Sequence, residues 1–226
     1  MLNLVCFAYL PYVAFFSFFL VTIARYRVRG YSYSSLSSQF LENQHHFWGL
    51  VPFHYGVLIV LAGHIVAFLI PAHVLAWNRA PLRLYVLEIS ALAAGLLTLI
   101  GLVALIARRG TNAKVRIVTS TADWVVFALL MVQVAGGVGV AVMYPWGSSW
   151  YAATAAPYLW SIATFKPNLA SIELLPWFVR LHIVNAYLLI GFFPFSRLVH
   201  ILVAPNPYLW RKPQVVRWHR RPADAA

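Results

Sequence analysis

Five times along its 226 residues this chain runs for about twenty residues with almost no charge. At about 1.5 Å per helical residue, such a run crosses the roughly 30 Å hydrocarbon core of a bilayer. Only helices and closed barrels satisfy their own backbone there, and a barrel would need short alternating segments that the sequence lacks. The expected fold is therefore all-α, a polytopic membrane protein with five transmembrane helices in one bundle. The spans are expected at about 5–24, 48–70, 88–107, 124–144 and 178–204, followed by a tail over 205–226. Composition agrees, because 62% of the residues are hydrophobic and only 10% charged, far too apolar for a soluble domain.

Charge then orients the bundle. A net charge of +12 could point to nucleic acid, but the cations lie in short stretches beside apolar runs, which is the pattern of membrane topology. With the N-terminus outside, the cytoplasmic segments carry Arg25, Arg27 and Arg29, then Arg108, Arg109, Lys114 and Arg116, then Arg211, Lys212, Arg217, Arg220 and Arg221. The outer segments carry only Arg79, Arg83 and Lys166. This asymmetry places the N-terminus outside and the C-terminus in the cytoplasm. The first run has no cation before it, unlike a cleaved signal peptide, and is read as a permanent span. A polar start for the fourth helix is expected over Thr119–Asp123, and the aromatic stretch from Pro145 to Trp177 is expected to lie partly along the membrane face. The lone Cys6 cannot form an internal disulfide.

Histidines are the chemistry that this topology exposes. The second run carries His54 and His64, and the fifth carries His182 and His200. Because these helices run in opposite directions, His64 and His182 fall near the outer face and His54 and His200 near the cytoplasmic face. Two neutral imidazoles on facing helices can fill both axial positions of a haem iron, leaving no open site and favouring electron transfer. The geometry agrees in part. His54 and His64 are about 15 Å apart along a helix and about 80° apart around it, whereas His182 and His200 would be about 27 Å apart and aligned. A bend at Pro194 could absorb the mismatch. A single intramembrane histidine is most often a hydrogen-bonded packing residue, and proton relays also use such groups, usually with carboxylates that the span interiors lack. His45, His46, His73 and His219 fall in loops or the tail, and the AGGVGV segment at Ala135–Val140 reads as a close helix-packing surface.

Several stretches resemble the gamma subunit family of respiratory nitrate reductases, membrane-bound diheme cytochromes b. They are RLHIV at Arg180–Val184, FPFSRLVHI at Phe193–Ile201, YLWRKPQVVR at Tyr208–Arg217, SSQ at Ser37–Gln39, FHYG at Phe53–Gly56 and the pair Gly63-His64. The resemblance implies two b haems, one held by His54 and His200 near the cytoplasm and one by His64 and His182 near the outer face. It implies quinol oxidation beside the outer haem, with electrons passing to a cytoplasmic iron–sulfur subunit and then to a molybdenum-containing catalytic subunit, contributing to proton motive force. The basic tail would dock those subunits. Family members carry a lysine near the start of the third span, where this chain reads Arg83, Leu84, Tyr85, Val86. Gly63, Arg83 and Tyr85 are therefore the candidates for contacting quinol, while Arg83 and Tyr85 could instead be interfacial anchors. Arg180 and Arg197 could neutralise haem propionates or snorkel to the interfaces. The alternatives are a diheme anchor of a heterodisulfide or sulfite reductase-type complex, a complex running in reverse, and a haem-free anchor or transporter.

Overall fold

A computed structural model describes residues 1–29 and 46–203 of the chain. Among them are five helices long and apolar enough to cross a membrane. They are α1 (Leu2–Val28), α2 (His46–Leu69), α3 (Pro81–Thr111), α4 (Thr121–Met143) and α5 (Trp177–Phe192). Contacts run from α2 to α3, α3 to α4, α4 to α5 and α5 to α1, so the two histidine-bearing helices are joined through α3 and α4. The outward faces carry large exposed apolar side chains, such as Leu58, Ile59 and Ile65 on α2, as expected of a surface that meets lipid.

The α2–α3 crossing is set by glycines. A methyl group added at Gly56 would lie 2.7 Å from the Ala94 carbonyl oxygen and from the Thr98 amide, and one at Gly101 would lie 2.8 Å from Phe53 Cα. Backbone therefore meets backbone, which fixes the rotation of α2. His54 is two residues from Gly56, about 200° around the helix, and so lies off the face wedged against Ala94 and Thr98.

Helix α4 starts where the polar signal placed it. The Ser120 hydroxyl accepts from the Asp123 amide, and the Asp123 carboxylate accepts from the Ser120 amide, a reciprocal cap on two otherwise orphaned donors. Helix α3 begins at Pro81 rather than Glu88, so Arg83 and Tyr85 sit in its opening turns and not in a loop.

The aromatic outer segment does more than lie along a surface. Short helical pieces at Gly147–Trp150, Tyr151–Ala155 and Ala156–Ala163 bring Ala152, Ala155, Tyr158 and Ile162 into the interior. Tyr158 joins Phe7, Val179 and Tyr187 in the main core cluster. The reason is visible in α1, where Pro11 has no N–H for the Phe7 carbonyl four residues back. The helix widens into a π-turn over Val5–Tyr9, and the Tyr158 hydroxyl donates to the free Phe7 carbonyl at 2.8 Å. Burial pushes that hydroxyl up to about 12, so it stays a neutral donor. On α3, Glu88 accepts from the amides of Gly147 and Ser148 at 3.1 and 2.8 Å and fastens the start of the same segment.

The fifth span is not one continuous helix. Pro194 offers no N–H to the Ile190 carbonyl, which takes the Phe193 amide instead, and α5 ends. A 3₁₀ turn follows at Phe193–Phe195, Ser196 is extended, and a second 3₁₀ stretch covers Arg197–Val203. Carbonyls freed by the break need donors. Arg25 on α1 supplies them, donating to the Pro194 carbonyl and, at 3.1 Å, to that of Ser196. Arg25→Gln is expected to lower stability by about 1.5–3 kcal/mol, the usual worth of hydrogen bonds from a charged donor. Thermal unfolding of the detergent-solubilised chain measures it, and an unchanged midpoint would remove Arg25 from this role.

Candidate functional site: four intramembrane histidines

Three of the four histidines share one local device. The Nδ1 of His54 lies 2.8 Å from the Leu50 carbonyl, that of His64 lies 2.8 Å from the Val60 carbonyl, and that of His200 lies 2.7 Å from the Arg197 carbonyl. A carbonyl only accepts, so each Nδ1 carries the proton and each Nε2 keeps its lone pair. This is the tautomer that metal-ligating histidines adopt when the other ring nitrogen is tied to a backbone acceptor.

The break after α5 brings the lower pair together. From His182, ten helical residues lead to Phe192, the same spacing that separates His54 from His64. Beyond it the chain leaves the α-helix, so the roughly 27 Å rise expected from an unbroken helix no longer applies. The His54 and His200 ring centroids are 6.4 Å apart, with planes at 59°. A metal–nitrogen bond of about 2 Å, with each nitrogen about 1.1 Å from its ring centre, would let two imidazoles about 6 Å apart hold one metal ion between them. The spacing suits a shared iron.

Both rings line a cavity of about 350 Å³ together with Arg108, Arg109, Asp123 and Arg197. Asp123 ion-pairs with Arg197 Nε at 3.0 Å, and Arg109 lies 5.3 Å from the Phe127 ring centre and donates to the Thr119 hydroxyl at 3.1 Å. Three cations and one carboxylate leave the cavity wall positive. Such a wall suits a ligand bearing carboxylates, as haem does with its propionates.

At the other end of the bundle from this cavity, His64 is exposed on α2 and His182 is partly buried on α5. The Tyr151 ring meets His64 edge-on at 5.2 Å, and its hydroxyl donates to the His64 carbonyl at 3.4 Å. His182 differs from the other three. Its Nε2 lies 3.1 Å from the side-chain nitrogen of Gln133 on α4, and its buried Nδ1 has no hydrogen-bond partner among the described residues. Two glycines of the AGGVGV segment make room for the ring, since a methyl group at Gly137 would lie 3.1 Å from His182 Cε1 and one at Gly136 would lie 3.5 Å from Nδ1.

The quinol candidates separate. Gly63 adjoins His64, and a methyl group there would meet no protein atom within 4 Å. Arg83 instead stacks over Trp77, its guanidinium carbon 5.1 Å from the ring centre, and Tyr85 meets Trp146 edge-on at 5.2 Å. Those contacts are of the kind interfacial anchors make. Arg180 reaches Asn3 at 3.5 Å, while Arg197 belongs to the lower cavity. The SSQ stretch at Ser37–Gln39, His45, and the tail with Tyr208–Arg217 and His219 lie outside the described residues.

Comparison with known proteins decides the family. The sequence model of the nitrate reductase gamma subunit family matches residues 3–219. The chain is 33% identical to the respiratory nitrate reductase 2 gamma chain of Escherichia coli K12 over 97% of its own length and 98% of that protein. It is 31% identical to the nitrate reductase gamma chain of Bacillus subtilis 168, covering 92% of this chain and 95% of that one. The respiratory nitrate reductase 1 gamma chain of E. coli K12 is 32% identical over 96% and 97%.

The chain belongs to the nitrate reductase gamma subunit family.

As a member of that family with five apolar helices, it is a multi-pass protein of the cytoplasmic membrane. Among the residues that sequence reasoning passed over, Gln133 and Tyr151 touch histidines of this gamma-family protein, and Arg108, Arg109 and Asp123 line the cavity at His54 and His200. Gln133 carried a usable signal, an amide in the middle of an apolar span. Asp123 had been read only as part of a helix start, and Tyr151 was one aromatic among many.

Proposed function

We propose that the chain is the membrane-anchoring cytochrome b subunit of a respiratory nitrate reductase-type complex, with the N-terminus outside. In this reading His54 and His200 hold a b haem near the cytoplasm, and His64 and His182 hold a second near the outer face. Quinol is oxidised on the outer side, which contributes to proton motive force. Electrons are delivered to a cytoplasmic iron–sulfur subunit that serves a molybdenum-containing catalytic subunit. The observation that carries the reading is the lower pair: two imidazoles on separate segments, both Nδ1–H, with centroids 6.4 Å apart in a cation-lined cavity.

A haem held by two of these imidazoles would supply a one-electron carrier rather than an oxygen-activating centre. The chain's own part is to hold and screen. Backbone carbonyls fix three ligand tautomers, and Arg108, Arg109 and Arg197 offset negative charge in the lower cavity. The open space at Gly63 beside exposed His64 offers quinol an approach from the bilayer. The tail from Tyr208 onward supplies a basic surface for the soluble partners.

The test is dithionite reduction of the purified chain, expected to give b-type absorbance and two haems per chain, followed by reduction with a soluble quinol analogue. A chain with no b-type absorbance would sink the reading. Because a methyl group at Gly63 meets no atom of the described residues within 4 Å, Gly63→Leu is expected to keep both haems while slowing quinol-driven reduction by about tenfold or more, at least 1.4 kcal/mol in the barrier. Unaltered quinol kinetics in that variant would place the quinol elsewhere.

A further inference from the structure

The exceptional hydrogen bonding of His182 points to a role for the Gln133–Asn185 pair. Asn185 on α5 places its Nδ2 3.0 Å from the Leu129 carbonyl. That carbonyl can only accept, so it fixes which end of the Asn185 amide is nitrogen. The same Nδ2 lies 2.8 Å from Gln133 Oε1, which must then be the oxygen end of the glutamine. The nitrogen end of Gln133 is left facing His182 Nε2 at 3.1 Å. It can only donate, so His182 Nε2 holds the lone pair and the proton sits on Nδ1. Gly136 and Gly137, one turn further along the same face of α4, leave the space that the ring occupies.

All four histidines thus share one tautomer, reached by two routes. In His54, His64 and His200 a backbone acceptor holds the Nδ1 proton, whereas His182 has no such acceptor and its buried Nδ1 is unpartnered. We infer that Gln133, oriented by Asn185 and Leu129, is a positioning residue that sets the tautomer of His182 and so readies its Nε2 for the outer haem. The inference rests on the diheme reading above. It extends that reading by naming a device that acts on the outer haem alone. Gln133 serves the free ligand, and its donor must leave the lone pair when iron binds. The outer site therefore exchanges one hydrogen bond on loading, which the lower site does not.

The decisive variant is Gln133→Glu, nearly identical in shape. One carboxylate oxygen can still accept from Asn185, but the other now faces His182 as an acceptor and draws the proton to Nε2, hiding the lone pair. Outer-haem content should fall by about 10–100-fold, the usual cost of losing an outer-shell partner, while inner-haem content stays at one per chain. Gln133→Leu neither donates nor accepts, so it should retain outer haem at lower affinity than wild type and above that of Gln133→Glu, with a shifted outer-haem redox midpoint and low-temperature EPR signal. The readouts are haem per chain, the two midpoints and the EPR spectrum in detergent. Equal outer-haem content in wild type and Gln133→Glu, with the same midpoint, overturns the inference. So does equal loss in the two variants, which would mark Gln133 as packing alone. His182→Ala separates the two levels of argument: if it removes no haem, the diheme reading has failed, and if it removes one while Gln133→Glu changes nothing, only the role of Gln133 has.

Discussion

Replacing His200 with alanine is expected to give a folded chain that keeps the outer haem, loses the inner one, and no longer passes electrons to the cytoplasmic side. The confinement follows from where His200 sits. It lies on the 3₁₀ stretch after the Pro194 break, outside the main core cluster that packs α1, α4 and α5 around Tyr158 and Tyr187. Removing its imidazole empties one side of a cavity that already exists and leaves the bundle intact. His54 keeps its own bond to the Leu50 carbonyl and remains in the ligating tautomer without a partner. Loss of a direct ligand should exceed the about 10–100-fold typical of losing an outer-shell group, so inner-haem occupancy falls below detection. His54→Ala should give the same spectrum. Loss of the outer haem instead, or of both at equal folded yield, would refute the pairing of His54 with His200.

The bundle was legible because its cause is crude: a helix in lipid needs about twenty apolar residues, and the five runs supply them. The closeness of His54 and His200 was legible from the antiparallel arrangement of their segments, since the ring centroids lie 6.4 Å apart. What misled was the assumption of one continuous helix. The span was expected over 178–204, but the α-helix ends at Phe192 and Ser196 is extended. Pro194 itself marked the place, but no rule of sequence gives the direction taken after a break. That depends on Arg25, distant in the chain, gathering the freed carbonyls. The partners of His182 were hidden for a similar reason. An amide–amide–imidazole relay across α4 and α5 needs the register between the two helices, which the glycines of AGGVGV set by admitting the ring. Those glycines were read as a close-packing surface, and what packs there is the His182 ring at Gly136 and Gly137 and the Phe178 ring at Gly139.

Gly101→Leu is expected to remove both haems together, in contrast to any single histidine variant. Position 101 is on α3 and contacts neither haem ligand, yet a side chain there would collide with the backbone of α2 at Phe53, whose amide and Cα are nearest, and approach the Gly49 carbonyl at 2.9 Å. Backbone cannot yield as a side-chain tip can, so α2 must move or turn. Overpacking in a core commonly costs about 1–3 kcal/mol, and contact with backbone places this case at the upper end or above. Both His54 and His64 ride on α2, and Gly56 two residues from His54 is wedged against Ala94 and Thr98 in the same crossing. A turn of α2 by one residue's worth, about 100°, would carry both imidazoles off their partners on the α5 side. Gly110→Ala is the control, because a methyl group at Gly110 near the end of the same helix meets nothing within 4 Å and should be neutral or stabilising by up to about 1 kcal/mol. Haem per chain and thermal midpoint, measured on both variants, distinguish the outcomes. If Gly101→Leu retains one haem, the two ligands of α2 are not held by a single rigid crossing.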